Sequence, residues 1–438
     1  MAAQLFDKAR EENPGIQKGL ENISTFMGFD RTSPRKKTKA MKDQTTRNPR
    51  LADWVKLSEE HLITRMANIA DGLKDVIRLG RGDPDLDTPP HIVKAGQDAL
   101  ANGATHYTHP LGIMPLRQAI AAYVKGHGGA DYAPDEVMIT PGGQQAMFII
   151  ALSLLKPGDE MLAPCPGYNP YYQAAELADA KLVKVPMTMP TNFTLTAEMI
   201  EPLITPRSKI LVLINPNNPT GTVTPPDEVR KIAELCIKHD LILLSDEIYA
   251  RLVFGNHRVL SPASLPGMRE RTITLSGFSK AYAMTGWRIG YITGPKELIT
   301  PMSEINHAFA ISTAAVSQHA ALAAMTGSQE CVEEMRQTYD GRRAAILEGL
   351  GKMGMNHAEP QGAFYIYADV SSLGLGITAS QFCERLLSEG RVMMYPGSIY
   401  GDHTDDFVRM SMTQPVARIR EAMERMACVI NTIRAEQK

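Results

Sequence analysis

Three short apolar runs in the middle of the chain each end on a residue able to do chemistry. Residues 209–214 (KILVLI) lead into Asn215-Pro-Asn-Asn218-Pro-Thr-Gly221, and residues 241–244 (LILL) into Ser245-Asp246-Glu-Ile-Tyr249. Residues 272–275 (TITL) lead into Ser276-Gly-Phe-Ser279-Lys280. Runs of this length, rich in Ile, Val and Leu and bounded by polar turn formers, predict strands. Three such strands bring an amide, an acid with a tyrosine, and a lysine to one rim. Taken singly, a lysine beside an acid on a sheet rim is an ordinary ion pair.

A fourth cluster, Thr140-Pro-Gly142-Gly143-Gln144-Gln145, opens an apolar helical run over residues 146–155. A glycine turn feeding a helix N-terminus leaves backbone N–H groups and a positive dipole end free to hold an anion. The spacing matches neither GxGxxG nor GxxxxGK[ST], so neither a dinucleotide nor a nucleoside triphosphate is indicated. An anion site, an amide, aromatics, an acid and a lysine on one rim are together what pyridoxal phosphate requires. It needs an amine for its aldehyde, a carboxylate facing its ring nitrogen and donors for its phosphate.

The elements that position these groups follow from the patterning. From about residue 87, short β-rich runs alternate with helical ones, such as residues 226–239 with Pro at the start. This predicts an α/β fold whose mainly parallel central sheet is sandwiched by helices, with ligands beyond the carboxyl ends of the strands. RIGYITG (residues 288–294) reads as a further strand. After about residue 327 a long charged helical stretch leads to FYIYADV and FVRMSM, which predicts a second, smaller α+β domain. The expected division is an N-terminal extension over 1–50, a part of the small domain over 51–86, a large domain over 87–327 and the C-terminal small domain over 328–438.

The 438 residues carry a net charge of −2 and are 44% hydrophobic and 21% charged, which excludes a disordered, collagen-like or disulfide-scaffolded chain. Near-neutral charge argues against nucleic acid or an anionic membrane as the main partner. Five scattered cysteines form no zinc-binding spacing, so no metal is expected and a reducing compartment is. The N-terminus has no apolar run of the secretory kind, and residues 146–155 are too short to span a bilayer. A cytoplasmic protein is expected. Residues 31–50, with eight basic residues and one acidic, read as a solvated or partner-covering extension rather than a nucleic-acid arm.

In order along the chain, GRGDPDLDTP, THYTHPLGIMPLRQAI, TPGGQQA, CPGYNPYY, NPNNPTG, SDEIY, SGFSKAYAMTGWRIG, GAFY and VRMSM resemble the motifs of one family. That family is the class I/II aminotransferases of fold type I, the aspartate aminotransferase superfamily, and the resemblance runs from about residue 79 to the C-terminus. It implies pyridoxal 5′-phosphate as cofactor, amino-acid and 2-oxo-acid substrates, and a homodimer. Lys280 would carry the cofactor as a Schiff base and move the substrate proton. Asp246 would face the ring nitrogen, Tyr249 and Asn218 the ring O3′, and Tyr168 would stack on the ring, with Tyr171 and Tyr172 as alternatives. The phosphate would fall to Gly143, Gln144, Ser279 and Arg288, joined by Tyr107 from the neighbouring subunit.

On the substrate side, Arg409 would fork onto the α-carboxylate, where its planar guanidinium matches two oxygens. Asn218 would lie beside it, and Gly82 would let the backbone approach the substrate. The chain departs from many relatives at Gly277, where they carry Ser, so the missing hydroxyl would come from Ser276 or Ser279. A carboxylate clamped in the ring plane leaves Cα–H as the bond to break, which implies transamination in ping-pong order. A β-eliminating C–S lyase shares most of these motifs. A transcription regulator built on the same fold would need a winged-helix module, and the segment before Leu79 has no three-helix pattern with a basic recognition helix.

Overall fold

The computed structural model describes residues 62–437. The expected extension over 1–50 and the first part of the next segment, through residue 61, lie outside the described residues. In chain order the strands are β1 (Ile77–Arg78), β2 (Val137–Thr140), β3 (Glu160–Cys165), β4 (Lys181–Pro186), β5 (Ser208–Ile214) and β6 (Ile242–Asp246). There follow β7 (Thr272–Gly277), β8 (Gly290–Thr293), β9 (Tyr365–Asp369), β10 (Val392–Met393), β11 (Tyr395–Pro396) and β12 (Phe407–Ser411).

Seven of these form one sheet in the order β2-β8-β7-β6-β5-β3-β4. The pairs β4·β3, β3·β5, β5·β6 and β6·β7 are parallel, and β8 alone runs against its neighbours β7 and β2. The near-continuous apolar runs of β5, β6 and β7 follow from burial on both faces. Successive side chains point to opposite faces. Ile210, Val212 and Ile214 therefore pack with Ala146, Ile149 and Ile150 of the helix Gly143–Leu154. Leu211 and Leu213 pack with Val229, Ile232 and Leu235 of the helix Pro226–Lys238 on the other side. That helix starts with Pro at its first position, carries Asp227 and Glu228 in its first turn and Lys238 in its last, each matching the dipole end it occupies. Burying Ile149 or Ile150, both without exposed surface, stabilises by about 2 kcal/mol each.

The strand expected over 288–294 is confined to Gly290–Thr293, because Arg288 has φ +52° and cannot continue a strand. A three-stranded antiparallel sheet, β11-β12-β9, follows, and β1 pairs with β10. The long helices Glu330–Met353 and Val416–Glu436 cover it with Ile346, Leu350, Ile419 and Met426. In β12, Arg409 stands opposite Tyr367 of β9 and Tyr395 of β11. No helix among the described residues is long and apolar enough to cross a membrane.

Candidate active site

Because β5, β6 and β7 are neighbours and parallel, their carboxyl ends meet at one cavity of about 520 Å³. Asn218, Asp246, Tyr249, Ser279 and Lys280 reach it from these strands, and Gly143 and Gln144 from the helix that follows β2. Tyr168 and Arg288 line it from loops, Gly82 from the segment after β1, and Arg409 from β12. Of the residues expected at the site, Tyr107 does not line this cavity, nor do the alternatives Tyr171, Tyr172 and Ser276; Tyr107 lies in a loop with 76% of its surface exposed.

Asp246 is buried at the end of β6. Its Oδ2 accepts from the Tyr171 hydroxyl at 2.7 Å and its Oδ1 from the Ile248 N–H at 3.1 Å. Burial raises this carboxyl to about 6, against the lowering effect of those two donors and of Lys280. Lys280 Nζ donates to the Gly82 carbonyl at 2.6 Å. Burial brings its ammonium down to about 8; Asp83 opposes that shift, and Arg409 and Arg288 add to it. An amine in this range exchanges protons near neutral pH.

Arg409 is buried, and its Nη1 donates to Asn218 Oδ1 at 3.0 Å and its Nη2 to the Gly80 carbonyl at 2.7 Å. The guanidinium carbon stands 4.3 Å from the ring centre of Tyr365 and 4.7 Å from that of Tyr400, while Nε has no partner. The Tyr249 and Tyr365 hydroxyls lie 2.9 Å apart, and burial pushes both phenols up.

At the other end of the cavity, Gly142 caps the helix Gly143–Leu154 with φ +86°. A Cβ there would stand 2.7 Å from Arg288 Nη2, so the absence of a side chain lets the guanidinium lie against the helix N-terminus. A cation and free N–H groups side by side make an anion site. Ser279 lines this cavity, whereas the Ser276 hydroxyl donates to the Glu247 carbonyl at 3.4 Å and faces a separate, smaller cavity. Ser279 is therefore the hydroxyl on offer. At Gly277 a Cβ would come within 2.9 Å of Gly290 Cα, its cross-strand partner, which leaves no room for a serine side chain.

Residues 74–426 match the family model described as aminotransferase class I and II. The chain is 38% identical to the aspartate aminotransferase of Pyrococcus abyssi over 383 residues, covering 87% of this chain and 98% of that protein. The chain belongs to the class I and II aminotransferases. It is likewise 37% identical to aromatic-amino-acid aminotransferase 2 of Thermococcus litoralis, with the same coverage of 87% and 98%. The aspartate aminotransferase of Thermus thermophilus with maleate superposes with a TM-score of 0.82 at 36% identity, covering 86% of this chain and 99% of the other. This aminotransferase thus shares the fold-type I architecture of its relatives.

Three contributors to the site are not evident from sequence spacing. Tyr171, an alternative for ring stacking in the sequence, instead donates to Asp246, and Tyr172 turns away to the Pro164 carbonyl at 2.7 Å. Tyr365, within GAFY, bridges Tyr249 and Arg409. Thr285 Oγ1 donates to Asp83 Oδ1 at 2.6 Å and so fixes the loop against which Lys280 rests. The aromatic density of CPGYNPYY is the one sequence signal for the first of these.

Proposed function

We propose that this aminotransferase binds pyridoxal 5′-phosphate in the 520 Å³ cavity and uses Lys280, Asp246 and Arg409 to exchange amino groups between amino acids and 2-oxo acids. The donor set fits the group. Asp246 is a buried acid with no cation hydrogen-bonded to it, which a protonated ring nitrogen would complete. Arg288 and the helix N-terminus suit a phosphate, and Lys280 is an amine of lowered basicity. When bound, the cofactor supplies a conjugated ring that accepts the electrons of a breaking Cα–H bond.

This chain's residues supply the rest. Asp246 would pair with the ring nitrogen and hold the proton on it. Lys280 would hold the aldehyde end of the cofactor through Nζ, and that amine would carry the substrate's Cα proton. Arg409, bonded here to Asn218 and Gly80, would fork onto the two oxygens of the substrate α-carboxylate and so fix the orientation of its Cα. Tyr249 and Asn218 contact the ring oxygen, Tyr168 covers the ring, and Gly82 leaves room for the substrate backbone. Gly143, Gln144, Ser279 and Arg288 hold the phosphate. Since both substrates use the same clamp, one leaves before the other binds.

A homodimer is part of this reading, with Tyr107 reaching the neighbouring site. It is supported by the exposure of Tyr107 together with exposed Phe309 and Ile311, brought close by the Thr108 N–H bond to Ser312 Oγ at 3.1 Å. A large domain over 87–327 is supported by its seven-stranded sheet, and a small domain over 328–438 with 51–86 is supported, for its described residues 62–86 and 328–437, by β9, β11 and β12 and the pairing of β1 with β10. Five free cysteines support a reducing, cytoplasmic setting.

The buried Asp246 carboxyl, facing Lys280 across the cavity, is the observation that carries the assignment. Borohydride reduction of protein loaded with pyridoxal phosphate, followed by peptide mapping, should place the label on Lys280. Label elsewhere, or none, would overturn it.

A further inference from the structure

We infer that Arg342 is a positioning residue of this enzyme: it ties the loop after β1 to the end of β12 and so holds the Arg409 guanidinium in place for the substrate α-carboxylate. The inference rests on the role proposed for Arg409 above. Arg342 lies on the helix Glu330–Met353 and is 5% exposed. Its Nη1 and Nη2 donate to the two oxygens of Asp85 at 2.6 and 2.9 Å, and Nη1 also donates to the Met412 carbonyl at 3.0 Å. One guanidinium therefore grips two segments that meet at the site.

Both segments carry the clamp. Asp85 follows Gly80 and Gly82, whose carbonyls accept from Arg409 and Lys280, in a stretch between β1 and the helix Pro90–Ala101 that belongs to no strand or helix. Such a stretch has no ladder of backbone bonds to fix it, so side-chain anchors decide where its carbonyls stand. Met412 follows Arg409 by three residues, just past the end of β12. The Ser411 N–H donates to the Leu79 carbonyl at 2.5 Å, and Arg342 adds a second brace beyond that bond. A largely buried ion pair adds little net stability over a hydrophobic pair of the same volume, whereas three bonds of fixed direction specify a position. A shift of about 1 Å in the Gly80 carbonyl would release Arg409 Nη2, and a misplacement of that size costs about 100-fold in rate.

The test takes full-length protein carrying Arg342→Gln, with and without Arg409→Lys, and Asp85→Asn as the second variant should the first not fold. kcat/KM is measured for the fastest donor in a panel of L-amino acids and for the oxo acid it yields. Arg342→Gln alone should lower both by the same ~10–100-fold, yet by less than ~3-fold in protein that already carries Arg409→Lys, because it acts through that residue. Amide exchange of the cofactor-free protein should quicken in residues 79–86 and 407–413 and stay unchanged in β5, β6 and β7. An equal loss in both backgrounds, no loss at all, or quickened exchange throughout the sheet gives Arg342 a general structural role and overturns the inference. Borohydride labelling of wild-type Lys280 is run alongside: if it takes no label, the proposed function is what fails, and the inference falls with it.

Discussion

Arg409 and Lys280 are held by one loop: Arg409 Nη2 donates to the Gly80 carbonyl at 2.7 Å and Lys280 Nζ to the Gly82 carbonyl at 2.6 Å. The proposed clamp and the proposed reactive amine thus rest on acceptors two residues apart. The loop is itself anchored, by Thr285 on Asp83 and by a bidentate pair from Arg342 to Asp85 at 2.6 and 2.9 Å. Both side chains are oriented before any ligand arrives, which lowers the ordering cost of binding.

On the proposed mechanism, replacing Lys280 by Ala would remove both the anchor for the cofactor and the proton carrier. Turnover should fall by at least ~10⁴-fold, with no borohydride label in the corresponding peptide. Steady-state kinetics and mass spectrometry check both. Turnover retained within tenfold would contradict the role.

Arg409→Lys keeps the charge and loses the planar fork and the stacking on Tyr365 and Tyr400. The expected loss in kcat/KM is about 3 kcal/mol, or ~100-fold. The same factor should appear for the amino acid and for the oxo acid, since both present an α-carboxylate. Measuring the two half-reactions separately decides it.

Asp246 gives the cofactor-free protein a pH dependence of defined sign. Its carboxyl is raised by burial from 3.8 to about 6, so between these values the folded state binds more protons than the unfolded state. Stability from this group therefore falls as pH rises from about 4 to about 6, by about 3 kcal/mol in all. Asp246→Asn should abolish that slope and make cofactor-free protein more stable than wild type at pH 7, while eliminating turnover. Urea denaturation at several pH values gives the comparison.

Gly142→Ala places a methyl group against Arg288 at a backbone angle of φ +86°. Displacing the guanidinium from the helix N-terminus should weaken cofactor binding by ~10-fold or more, with the strain itself costing about 1–3 kcal/mol. Dialysis of the holoenzyme against buffer, followed by absorbance, measures retention.

Tyr107→Ala and Lys280→Ala should complement each other if Tyr107 serves the neighbouring site. Mixed dimers contain one site with both native residues, and should recover up to about a quarter to a half of native activity, depending on mixing. Homodimers of either variant should stay impaired. No recovery on co-refolding would place Tyr107 outside the neighbour's site.

Much of this site can be read from strand ends. Asn218, Asp246 and Lys280 follow apolar runs of five to seven residues in β5, β6 and β7, and burial of both sheet faces leaves the carboxyl ends as the place for polar groups. The direction of a side chain on a short helix is less legible. Tyr171 and Tyr172 are adjacent in sequence, yet the helix Pro170–Leu177 sends one to Asp246, 75 positions away, and the other to Pro164 and Tyr400. The antiparallel run of β8 is equally hidden, because alternation of buried residues is the same in both directions. The pairing of Asp85 with Arg342 joins residues 257 positions apart, one in the loop after β1 and one on the helix Glu330–Met353, a proximity that no local pattern reports.

The tight crossing of Gly277 over Gly290 narrows what evolution or an engineer can do here. A hydroxyl cannot be placed at 277 by a single replacement, since the opposing main chain crowds the new carbon at 2.9 Å. Any added donor for an anion must therefore come from elsewhere on the wall that Ser279 and Arg288 share.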